Sequence, residues 1–299
     1  MSSSSVISCP SALDDGNSNR AHQSSEKYAG KSFKDCFEIL PNEIIAEGSC
    51  GTIIRKAQER QTQRQYAVKC IKLKTAEEKR RKEVHREIEI LKQVHHSGIL
   101  NATCSFETRE EVFIVTDYMK EGDCFDRLIA KEKFSMKETQ RFIRCIGEAL
   151  SYLHHQDIVH RDLKLENVLI NNEGDFVLCD FGFARKVNGG CRTDCGTRNY
   201  VAPEILTGKT YGTEVDCWAL GVCIFMLLSG YHPFETGKLM ATLTNIQNGR
   251  ILYQFADFNM ETKEFIEQLL AVNISKRLNI DQVLSHSFLC EKNSNLEER

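Results

Sequence analysis

The chain has no excess of either charge: 39 Lys and Arg stand against 42 Asp and Glu, a formal charge of -3 over 299 residues. A protein whose main business is coating nucleic acid or an anionic membrane is thereby excluded, and partners must be sought at local sites. There is no CxxC and no His/Cys ligand cluster. The thirteen cysteines are scattered singly and odd in number, which argues against a disulfide framework or structural zinc and for a reducing cytosol or nucleus. The start, "MSSSSVISCPSALDD", lacks the basic segment and apolar stretch of a secretory signal and has Ser at position 2, so neither a signal nor myristoylation is expected. No apolar run is long enough to span a bilayer: the longest, "CWALGVCIFMLLSG", follows Asp216 and reads as a buried core helix. No internal repeat is present.

What is there falls into three parts. Residues 1–35 are rich in Ser, Asn and Asp and poor in large apolar groups, so they are expected to be a disordered tail. From Phe37, "FEILPNEIIAEGSCGTIIRKA", "QYAVKCIKL" and "EVFIVTDYM" read as strands, interrupted by a helix with Val84, Ile88, Leu91 and Val94 on one face. Beyond residue 121 the pattern is mainly helical, through "KETQRFIRCIGEALSYLHH" to "ETKEFIEQLLAV". A small strand-rich half before a larger helical one predicts an α+β protein of two lobes with a cleft between them.

The chemistry gathers in "IVHRDLKLENVLI", where charged groups interrupt two apolar runs. Asp162 and Asn167 place a carboxylate able to take a hydroxyl proton beside an amide oxygen able to bind a hard cation. Asp180, in "LCDFGFAR", adds a second oxygen ligand for Mg2+. Lys69, on the strand "YAVKC", can pair with Glu87 on the following helix and aim its ammonium at phosphate oxygens. Alone, Lys69 would be a surface strand lysine and Asp180 a turn former; together such groups could hold a nucleotide's charge in a cleft and position an attacking hydroxyl.

These segments resemble the protein kinases from about Phe37 to Leu289: HRDLxxxN, DFG, APE (Ala202 to Glu204) and the strand lysine stand in that family's order. The resemblance implies a bilobal kinase fold with an N-lobe at 36–116, a hinge at 117–120 and a C-lobe at 121–290, followed by a short polar tail, 291–299. It makes Asp162 the catalytic base, Lys164 the neutraliser of the transferring phosphate, as in serine/threonine kinases, and Thr197 the partner of both. Asn167 and Asp180 would hold metal, and Lys69 with Glu87 the α and β phosphates of ATP. Ile45, Gly48, Gly51, Ile53, Ala67, Thr116, Asp117, Met119, Asp123 and Leu169 would surround the nucleotide. Thr193 matches the activation-loop phosphosite and Arg161 the group that receives its phosphate. Asp216, Glu204 and Arg277 would be structural braces.

Some positions depart from the pattern. Ala46 replaces the first glycine of the phosphate loop, which would weaken nucleotide binding if that position needs positive φ. Arg198 stands where the resembled family usually has proline, in the substrate-binding loop. The branch resembled most is the calmodulin-dependent and AMP-activated group, with a weaker likeness to testis-specific serine kinases. Asp123 and Glu166 could receive a substrate arginine, a preference weakened by Met226. The residues after Leu289, "CEKNSNLEER", are short and polar, so no calmodulin-binding helix is expected there. A monomeric Ser/Thr kinase acting on protein substrates is therefore expected, with an upstream activating kinase or autoactivation left open. No nucleic-acid or membrane partner is expected. The alternative is a pseudokinase scaffold, which only Ala46 favours.

Overall fold

The structure, a computed structural model, describes residues 5–6, 27–48, 51–73, 76–187, 189–191 and 196–290. It divides into two compact units, Met1–Glu121 and Gly122–Arg299. Thr193 and the tail 291–299 lie outside the described residues.

The first unit is an antiparallel sheet. Its strands are β1 (Ser5–Val6), β2 (Phe37–Glu47), β3 (Ile53–Glu59), β4 (Gln65–Lys72), β5 (Ala102–Glu107) and β6 (Glu111–Asp117), in the order β1-β5-β6-β4-β3-β2. Alternation sets the buried face: Tyr66 and Val68 of β4 are inside. Helix α2 (Glu78–Gln93) buries Val84, Ile88 and Leu91 as the periodicity predicts, together with Ile90 and Glu87.

The expected disordered tail is corrected at two places. Ser5–Val6 pairs with Glu107 and Phe106 of β5. Near the other end, α1 (Phe33–Cys36) is capped by Ser32 and Asp35, and Tyr28 is only 2% exposed. Phe33 stacks on Phe113 at 4.3 Å between ring centroids, and Tyr28 lies edge-on to Phe106. The Tyr28 hydroxyl donates to Glu59 Oε1 (2.8 Å), which also meets Lys27 Nζ at 2.5 Å. A polar average over 35 residues concealed two aromatic rings whose partners stand on remote strands.

In the second unit, α3 (Cys124–Lys131) and α4 (Met136–His154) precede two small ladders: β7 (Ile158–Val159) with β10 (Arg185–Lys186), and β8 (Val168–Ile170) with β9 (Phe176–Leu178). Then come α5 (Pro203–Leu206), α6 (Glu214–Ser229), α7 (Leu239–Asn248), α8 (Met260–Leu269) and α9 (Ile280–Leu284). Helix α6 is buried on nearly every side, which explains why its sequence is apolar all round. Among the described residues no helix is long and apolar enough to cross a membrane.

Candidate active site

The loop between β7 and β8 is shaped from beneath by Asp216 of α6. Its carboxylate, 1% exposed, accepts the N–H of His160 at Oδ2 and of Arg161 at Oδ1, each at 2.9 Å, and lies 2.9 Å from His154 Nε2. Burial alone would raise its pKa. The hydrogen bond and charge of His154, the charge of His160 and the Arg161 N–H outweigh that and hold it below the ordinary value. Two successive N–H groups taken by one anion support a conformation that local preference opposes: Arg161 has φ 68°.

Asp162, presented by this bend, is 5% exposed. Its Oδ1 accepts from the backbone N–H of Thr197 (2.9 Å) and from the Thr197 hydroxyl (3.0 Å). Its Oδ2 accepts from Asn167 Nδ2 (2.9 Å) and lies 3.1 Å from Lys164 Nζ. Lys164 also donates to Thr197 Oγ1 at 2.9 Å, so acid, lysine and threonine form one closed set. The amide of Asn167 donates a second time, to the Asp162 carbonyl (2.8 Å), which leaves Oδ1 as its atom for a cation. Thr197 reaches this place because Gly196, at φ 95°, has no side chain: a Cβ there would sit 2.7 Å from the Arg161 carbonyl oxygen.

Asp180 follows β9. The N–H of the preceding Cys179 donates to the Asn167 carbonyl (2.9 Å), bringing the two predicted metal ligands onto bonded backbones. Asp180 itself has φ 59°, is exposed, and accepts the Gly182 N–H at 3.3 Å. Its neighbour Phe181 is buried edge-on against the His160 ring, whose Nε2 bonds the Cys179 carbonyl at 3.1 Å. The donor set of amide and carboxylate oxygen suits Mg2+, a hard cation. Arg161 donates from Nε to the Phe183 carbonyl (2.7 Å) and from Nη1 to the Tyr211 hydroxyl (3.1 Å). Tyr211 and His154 were not found by sequence reasoning; no spacing marks them.

Asp123 caps α3, accepting the Asp126 N–H at 2.8 Å; burial pushes its carboxyl up, partly offset by that bond. It is bridged to Leu169 of β8. Farther off, Glu204 and Arg277 form a buried bidentate pair (2.6 and 2.9 Å), the guanidinium lying 5.1 Å from the Trp218 ring centroid.

In the first unit, Lys69 on β4 meets Glu87 on α2 at 2.6 Å. Ala67 pairs with Thr116, and the Thr116 hydroxyl lies 3.5 Å from the Ala67 carbonyl. Ile45 is 44% exposed on β2, and Ile53 opens β3 opposite Cys70. Asp117 gives its carboxylate to Arg64 (2.8 Å), while Met119 is half-buried. Gly48 donates to the Thr52 carbonyl (2.8 Å), Arg80 reaches the Thr52 hydroxyl (3.1 Å), and Gly51 takes φ 73°. Ala46 of β2 pairs with Ile54 of β3 and is not among the residues of positive φ. The condition under which alanine would weaken the loop is therefore not met.

The family model described as protein kinase domain matches residues 40–289. The chain is 38% identical over 286 residues to the phosphorylase b kinase gamma catalytic chain, liver/testis isoform, of Bos taurus, covering 88% of this chain and 69% of that one. It is 34% identical over 254 residues to myosin light chain kinase A of Dictyostelium discoideum (82% and 85%). To serine/threonine-protein kinase H1 of Homo sapiens it is 36% identical over 256 residues (82% and 60%).

Proposed function

The chain belongs to the protein kinase family, as a serine/threonine kinase using ATP and Mg2+, and from that premise we propose the role of each site residue. Asp162 accepts the proton of a Ser or Thr hydroxyl as the oxygen attacks the γ-phosphorus and the bond to the bridging oxygen breaks. Lys164, held at 2.9 Å from Thr197, faces the charge of the group in transfer. Lys69, fixed by Glu87, anchors the other phosphates, and Asn167 with Asp180 holds Mg2+, which when bound neutralises phosphate charge. The observation that carries this reading is the closed Asp162, Lys164, Thr197 set, which brings Thr197, more than thirty residues away in the chain, onto the carboxylate and lysine of one short loop.

Thr193 is proposed as the activating phosphosite, supported by Arg161 bonding to Phe183 and Tyr211 on either side of the stretch that contains it. We assign protein substrates with a basic residue near the target hydroxyl, an activating kinase upstream, and a monomer of the cytosol or nucleus. Buried free thiols such as Cys124 and Cys217, the former pushed up to about 12 by burial, suit such a reducing compartment.

The test is Mg-dependent transfer of labelled phosphate from ATP to an Arg-containing Ser/Thr peptide, with Asp162→Asn and Thr193→Ala alongside. Loss of about 10²- to 10⁴-fold in the Asp162 variant is expected. Undiminished turnover in Thr193→Ala would remove the phosphosite. Nucleotide binding without transfer by a Thr193-phosphorylated wild type would point to a scaffold instead.

A further inference from the structure

The turn after Thr197 contains no proline to fix its shape. Arg198–Tyr200 form one 3-10 turn, closed by the Tyr200 N–H on the Thr197 carbonyl at 2.9 Å. Its middle residue is held from outside. His232, in the segment after α6, bonds the Asn199 carbonyl through Nε2 at 2.9 Å, while its Nδ1 accepts the Phe234 N–H at 3.2 Å. With one ring nitrogen accepting and the other donating, the ring is the neutral Nε2–H tautomer. Burial acts in the same direction, pushing the imidazole down to about 4 against a smaller opposing effect of the Asn199 bond.

The same ring stands edge-on to Tyr200, with centroids 6.0 Å apart at 85°. Tyr200 is 7% exposed, and its hydroxyl donates to Glu166 Oε2 at 3.4 Å. Burial raises the Tyr200 pKa far out of the physiological range, so the hydroxyl keeps the proton it donates. A continuous line of contacts thus runs from His232 through the turn to the acidic side chain of the catalytic loop.

We propose that His232 is a positioning residue for substrate selection: by pinning the Arg198–Tyr200 turn it holds the Tyr200 hydroxyl on Glu166 and so orients the carboxylate that meets a basic substrate side chain. This rests on the kinase reading and adds to it the residue that shapes its preference. An unpinned turn would let Tyr200 withdraw, and Glu166 would lose its 3.4 Å contact with the Tyr200 hydroxyl. Affinity for an arginine-bearing peptide would fall while the reacting groups around Asp162 stayed in place.

The experiment uses the full chain and two fluorescent peptides identical except for one Arg→Ala change, with affinity read by anisotropy. His232→Gln keeps an N–H donor near the position of Nε2, whereas the shorter His232→Asn reaches only that of Nδ1. The Asn variant should bind the Arg peptide about three- to tenfold more weakly, the range of one ordinary hydrogen bond, and the Ala peptide as the wild type does. The Gln variant should stay within about twofold of wild type on both. Peptide KM should follow affinity, with kcat and the KM for ATP unmoved. Equal weakening on both peptides, wild-type behaviour of the Asn variant, or failure of Gln to restore binding would overturn the proposal. So would a wild type with no preference for the Arg peptide. Absence of phosphate transfer with the peptide preference intact would count against the kinase reading alone.

Discussion

Lys69 with Glu87 in the first unit and Arg277 with Glu204 in the second are each one cation and one glutamate brought together at 2.6 Å from separate elements. Their surroundings differ. Lys69 keeps 17% of its side chain exposed. Arg277 is fully buried, grips Glu204 with both ends of its fork, lies over Trp218, and donates also to the carbonyls of Ala271 and Glu214. The pair proposed to act on a ligand keeps part of its cation open to solvent. A pair meant to hold a fold has its donors and lone pairs occupied by the protein.

Three measurements sharpen or break this contrast. Glu204→Ala leaves a buried guanidinium without its counter-ion, and urea unfolding should show a loss of about 3–5 kcal/mol; a loss below about 1 kcal/mol would remove the structural role given to the pair. Lys69→Met should lower turnover about 10²- to 10³-fold with the unfolding midpoint nearly unchanged. A fall in stability as large as that of Glu204→Ala would erase the distinction.

Asp216 is the intermediate case, a buried acid whose partners are backbone N–H groups and a histidine. Asp216→Asn turns an acceptor into a donor facing those groups and should destabilise by about 1–3 kcal/mol at pH 7. Because its folded pKa is depressed, the stabilisation by Asp216 is present above the unfolded carboxylate pKa, near 4, and is lost as pH falls through the lower folded value. The gap between wild type and variant in urea midpoints should therefore narrow as pH drops below about 4; a constant gap would mean the charge plays no part.

Much of the site was legible because its members lie within short motifs. The spacing of Asp162, Lys164 and Asn167 is a loop's length, and each side chain finds a partner inside it or at Thr197. The helix face of Val84, Ile88 and Leu91 followed from periodicity alone. Ala46 shows the limit: in sequence a missing glycine suggests a defect, and only the register of β2 shows that strand geometry is needed there. The tail shows another, since no window of its sequence reveals that Tyr28 and Phe33 have Phe106 and Phe113 as neighbours.

By itself the sequence determined which groups are available and in what order: a proton acceptor, two lysines, an oxygen pair for a cation, and apolar faces at strand and helix periods. These are properties of composition and local spacing, and local energetics suffices to read them. Only the tertiary structure decided that Arg161 and Asp180 take left-handed backbone angles, that Gly196 lets Thr197 close on Asp162, and that His232 bonds Asn199. Each of these runs against local preference or joins residues remote in sequence. For Arg161 the support is the buried helix α6, whose Asp216 takes the N–H groups of His160 and Arg161; the same helix leads into the segment bearing His232.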